Sequence, residues 1–137
     1  VVHSHKKKIE GWEMSYKVSY EMAVTSLESL RKAVSHCGGV MINSDYYRKH
    51  ASHKVDVGCV ARCIFPNTNY DIGVMKNSDG TYKLEYDRYG KDGRVLELLM
   101  ADGGLPDSYC AEQVLWENRH IPREEIHITM GNGVEYV

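Results

Sequence analysis

The sequence predicts an α+β domain, a mostly antiparallel sheet with helices packed on one face. Three observations carry that expectation. Short alternating apolar segments recur from Ser15 to Asp87, an Asp-Gly pair joins two of them, and the order strand, helix, several strands, helices, strand places the helical periodicity in separate blocks.

Residues 1–13 begin Val1-Val2-His3-Ser4-His5-Lys6-Lys7-Lys8, a basic run without apolar periodicity, and read as an N-terminal arm or extension. The single domain then spans residues 14–137. The lysine and histidine run suits either a nucleic-acid or metal-binding tail or a plain solvated terminus. Ser15 to Met22 alternates, with Tyr16, Val18 and Tyr20 on one face of a half-buried strand. Thr25 and Glu28 form a capping box, after which Leu27, Leu30, Val34 and Cys37 recur at helical spacing until Gly38-Gly39. Val40 to Ile42 reads as a short strand, and Asn43 to Lys54 as a polar connection that is either mobile or functional.

Val55 to Phe65 reads as one central strand, with Val55, Val57, Cys59, Ala61, Cys63 and Phe65 on one face, ended by Pro66-Asn67-Thr68-Asn69. Tyr70 to Lys76 and Thr81 to Asp87 flank Asn77-Ser78-Asp79-Gly80, whose Asp-Gly supplies the positive-φ positions of a tight hairpin. Gly90-Lys91-Asp92-Gly93 reads as punctuation before a helical segment at Val95 to Met100. Gly103-Gly104 breaks that segment, and Pro106 opens another helix through Asn118 that buries Cys110, Ala111, Val114 and Leu115. Beyond Pro122, Ile126 and Ile128 alternate with His127 and Thr129, and Asn132-Gly133 turns into a closing strand, Val134 to Val137.

Composition excludes several classes. In 137 residues, 42% hydrophobic and 26% charged, the apolar runs fall far short of the roughly 20 residues a membrane helix needs. With 17 basic against 19 acidic residues, the chain lacks the global charge of a nucleic-acid binder. No apolar signal segment precedes the four cysteines, so a reducing, cytoplasmic compartment is the expectation.

The constellation closest to a metal site is His50, His53, Cys59 and Cys63, in H-x2-H-x5-C-x3-C spacing. On one extended strand the Cα atoms of Cys59 and Cys63 would stand about 13 Å apart, too far for two sulfurs to share a zinc at about 2.3 Å. No metal and no cofactor are therefore expected. His36 beside Cys37 is no nucleophile–base pair, because adjacent helical residues point in different directions. No nucleophile elbow, Walker loop or dinucleotide fingerprint occurs. Glu85 and Asp87, two apart on one strand, share a face and suit acid–base work, cation binding or simple solvation. Ten tyrosines against one phenylalanine, among them Tyr46, Tyr47, Tyr70, Tyr82, Tyr86, Tyr89 and Tyr109, suit a protein interface, a ring-stacking pocket or ordinary strands.

The stretch Asn69-Tyr70-Asp71-Ile72-Gly73-Val74, followed by Asp79-Gly80-Thr81-Tyr82-Lys83-Leu84-Glu85-Tyr86-Asp87, resembles the Ycf35-like (DUF1257) family, with its Tyr-Asp-Ile-Gly, short turn and Tyr-x-Leu-x-x-Asp. The resemblance covers approximately residues 14–137, and only the hairpin motif is specific. Where that family has Gln-Arg-Tyr-Ala, this chain has Asp107-Ser108-Tyr109-Cys110-Ala111, and Arg119-His120 stands for a helix-ending Gln-Gly. It is thus similar to a divergent member, of the kind bacteriophages encode. The resemblance implies a small α+β domain without an established activity. It also marks Tyr70, Asp71, Tyr82, Glu85, Asp87 and Tyr109 as positions a shared surface would use.

The expected function is a non-enzymatic interaction or accessory protein that self-associates and binds a protein partner through its tyrosine-rich sheet or an exposed edge strand. The alternative is a small-molecule, nucleotide-like binder using the loop that carries Tyr46, Tyr47, Arg48, Lys49, His50 and His53. A hydrolytic role for Glu85 and Asp87 is the third reading.

Overall fold

A computed structural model describes residues 7–9, 17–50 and 55–137. In chain order the elements are β1 (Lys7–Ile9), β2 (Lys17–Val24), α1 (Leu27–His36), β3 (Val40–Asn43), β4 (Tyr46–Arg48), β5 (Val55–Val57), β6 (Ala61–Ile64), β7 (Asp71–Lys76), β8 (Tyr82–Asp87), α2 (Gly90–Leu99) and α3 (Leu105–Glu117). Six strands form an antiparallel sheet in the order β1-β2-β8-β7-β6-β3, while β4 and β5 pair as a separate hairpin. The helices pack against this sheet, so the fold is α+β, as composition and periodicity predict.

Strand alternation divides the sheet into two unlike faces. Val18, Tyr20, Ile72, Val74, Leu84, Tyr86, Ala61 and Cys63 point to one face and join Leu30, Ala33, Val34, Leu96, Leu105 and Tyr109 of the helices in the main core. The residues between them, Ser19, Glu85, Gly73, Arg62 and Ile42, lie side by side across five strands on the second face. That face is polar, and the β4–β5 hairpin lies over it.

The β7–β8 hairpin forms where the sequence places it, with Gly80 at φ +87° and the Asp79 carboxylate accepting the Thr81 amide hydrogen bond. Helix α1 is capped one residue later than expected. Ser26, not Thr25, accepts from the Ser29 amide, while the Thr25 hydroxyl contacts the Tyr109 hydroxyl and accepts from the Gln113 side-chain amide. The expected central strand Val55 to Phe65 is two strands. Gly58 adopts φ +97°, a left-handed conformation, and breaks the extended run. The Asn43 to Lys54 connection contains β4, whose Tyr47 is fully buried; residues 51–54 lie outside the described residues. Gly90 to Gly93 is the first turn of α2 rather than punctuation.

The chain ends in an irregular hairpin instead of a regular strand pair. A single bridge, Thr129 to Glu135, is flanked by the bonds Tyr136 N–H to Ile128 O and Met130 N–H to Val134 O around the expected Asn132-Gly133 turn. Ile128, Met130 and Tyr136 pack on Ala111, Val114 and Leu115 of α3 as a second small core. Their burial is complete without joining the sheet. Lys7–Ile9, inside the stretch read as an arm, pairs with Val18 to Tyr20 as an edge strand; Ser15 and Tyr16 lie outside the described residues.

Candidate functional site

Six of the residues singled out from sequence meet on the second face: Tyr47, Arg48, His50, Asp71, Glu85 and Asp87. The three carboxylates are buried, with Asp71 at 0%, Glu85 at 3% and Asp87 at 1% exposure. Successive hairpin residues reach them. The Tyr47 hydroxyl donates to Glu85 Oε1 at 3.4 Å, Arg48 donates from Nε and Nη2 to Asp71 at 3.0 and 2.7 Å, and the His50 amide donates to Asp87 Oδ2 at 3.2 Å.

Each carboxylate has further donors. Asp71 also accepts from the Arg48 amide and from Arg62 Nη1 at 3.1 Å. Glu85 accepts from Ser19 Oγ and lies 3.2 Å from Lys17 Nζ and 3.3 Å from Lys83 Nζ. Asp87 accepts the Tyr89 amide at 2.9 Å. Such saturation is what lets a carboxylate stay in a low-dielectric site. Glu85 and Asp87 do share a face, as strand alternation predicts, yet the face is covered rather than solvated. The hydrogen bond to Asp71 also holds the Arg48 guanidinium above its usual, already high, pKa.

Gly73 explains how the hairpin comes so close. A Cβ built there would stand 2.3 Å from Tyr47 Cδ1, so the ring lies directly on the β7 backbone. The Tyr-Asp-Ile-Gly stretch therefore has a physical use at each position. Tyr70 enters the main core, Asp71 takes two arginines, Ile72 faces the helices and Gly73 seats Tyr47.

The other chosen residues lie elsewhere. Tyr109 is 3% exposed and its hydroxyl ties α3 to the start of α1, while Tyr82 packs half-buried against the main core. Tyr46 is on the outer side of the hairpin at 37% exposure, with the Arg62 guanidinium 4.7 Å from its ring centroid. The tyrosines thus do not make one surface. Tyr47 and Arg48 reach the sheet through their hydrogen bonds, while Tyr46 lies exposed on the loop.

Sequence reasoning missed Arg62, Lys17, Lys83 and Ser19. The signal was the strand register, which sets Arg62 opposite Gly73, Gly73 opposite Glu85, and Glu85 opposite Ser19. His53 lies outside the described residues, and among the described ones no group of three His, Cys, Asp or Glu could hold a metal. Burial raises the thiol pKa of Cys37, Cys59 and Cys63, and that of Cys110 to about 11. These are protonated packing groups, not activated nucleophiles. Among the described residues no helix is long and apolar enough to cross a membrane.

Comparison with protein-family models, curated proteins and solved structures finds no match to this chain.

Proposed function

We propose that this protein is a non-enzymatic interaction module that docks another protein chain beside the β4–β5 hairpin. One observation carries the reading. The polar groups on the second face hold the hairpin down, while Val40 (60% exposed), Ile42 (36%), Tyr46 (37%) and Val57 (75%) stand out at the β3 end of the sheet. Tyr46 and Val57 are cross-strand partners in the hairpin, and Arg62, stacked on Tyr46, is the register partner of Ile42. Four exposed apolar side chains in one strip are a recognition surface rather than scattered exposure. The resemblance to the Ycf35-like family is compatible with this reading, since it brings no activity with it.

Size-exclusion chromatography with light scattering tests the proposal on the wild type and an Ile42→Lys/Val57→Lys variant. A mass above the monomer that falls back to it in the variant supports docking through the strip. A strict monomer that also recovers no partner from lysate contradicts it.

A further inference from the structure

The interaction reading leaves the occupant of the strip open, and the backbone of β3 narrows it. Ser44 N–H donates to Val60 O, which continues the β3–β6 register and makes the even-numbered residues the ones bonded to β6. The backbone groups of Met41 and Asn43 therefore turn to the edge that, among the described residues, no strand covers. One of them is occupied: the Arg31 guanidinium donates to the Met41 carbonyl, and Met41 is only 3% exposed.

We propose that β3 pairs edge to edge with β3 of a second copy of this chain, and that Arg31 guards the edge until pairing displaces it. The inference rests on the interaction reading and names its partner. The two edges of the sheet differ in the feature that decides self-pairing. The β1 sequence is Lys-Lys-Ile, and charged residues on an edge strand oppose association. β3 itself reads Val-Met-Ile-Asn, so no like charges stand directly opposite one another in the strand pair.

Two-fold symmetry further limits the register, because a residue must lie opposite its own copy for both strands to keep the same face outward. Centring on Ile42 sets Met41 against Asn43 of the second copy, and Asn43 against Met41. The outward N–H and C=O groups of both then pair, while the exposed Ile42 side chains meet. Leaving costs Arg31 chiefly that one hydrogen bond, since its other contact is a 4.0 Å approach to the exposed Glu28 carboxylate.

In this register Ile42 faces Ile42 as a non-hydrogen-bonded pair, with Cα atoms about 4.5 Å apart, within disulfide reach. Mild oxidation of Ile42→Cys should therefore give a covalent dimer that wild type, with its own four cysteines, does not form. In sedimentation equilibrium, Asn43→Pro should weaken the dimer by removing an edge N–H. Arg31→Ala should tighten it about tenfold by freeing the Met41 carbonyl from a charged competitor. Circular dichroism confirms that each variant folds. A dimer indifferent to Asn43→Pro, with no Ile42→Cys cross-link, overturns the β3 assignment and leaves the interaction reading intact. Wild type and Arg31→Ala that both stay monomeric at every concentration overturn it as well, and remove self-association from that reading.

Discussion

On its helical side the sheet is covered by a continuous apolar core, in which Ile72, Val74, Leu84, Leu96 and Leu105 are fully buried. On the other side a three-residue strand, one tyrosine ring and a set of charge-assisted hydrogen bonds do the covering. The first face is held by area removed from water, which any residue of suitable size and polarity can supply. The second depends on particular partners, because a carboxylate buried without its cation is far worse than no carboxylate at all. Groups that would look like chemistry in isolation are here the means of attaching a small hairpin.

This contrast makes graded predictions. Asp71→Ala strands Arg62 and frees Arg48, and should cost about 3–5 kcal/mol in denaturant unfolding. Leu84→Ala on the helical face should cost a comparable 2–5 kcal/mol, roughly, by leaving a cavity. The two should differ in locality. Native-state hydrogen exchange should show the Arg48 and His50 amides losing protection in Asp71→Ala, whereas Leu84→Ala weakens the whole sheet. Equal, global losses in both variants would erase the distinction. Tyr47→Phe keeps the ring and removes a 3.4 Å hydrogen bond, so a thermal melt should register about 1 kcal/mol or less.

Alkaline pH probes the helical face. Burial, and then Asp107, raises the Tyr20 hydroxyl to about 12 and the Cys110 thiol to about 11. Both groups are protonated in folded and unfolded chains below about pH 7.5. Above it the unfolded chain releases protons that the folded one retains, so stability falls as pH rises through that window. The melting temperature should be level from about pH 7 to 7.5 and decline beyond about pH 8; a rise there would reverse the assignment.

Local signals carried much of the fold into the sequence. The Asp79-Gly80 turn, the apolar spacing of α1 and its Gly38-Gly39 stop act over a few residues, and the structure contains all three. What depended on distant segments was not legible. That Glu85 and Asp87, read as a pair for acid–base work, cation binding or solvation, are covered was not legible because the β4 segment is three residues long and has no periodicity. Gly58 broke an alternation that otherwise continued through Cys59 to Phe65. Gly73 was the available clue to a covered second face, since glycine inside a strand marks a close backbone approach.

A double-mutant cycle on Gly73 and Tyr47 tests most directly whether the candidate-site residues serve to seat the hairpin. Gly73→Ala places a Cβ 2.3 Å from the Tyr47 ring and should cost about 1–3 kcal/mol in the wild type as overpacking. In a Tyr47→Ala background the same change should cost almost nothing, giving a coupling of at least about 1 kcal/mol. Additive losses would contradict the account, for they would mean that Tyr47 does not rest on β7 and that the carboxylates beneath it are open to other work.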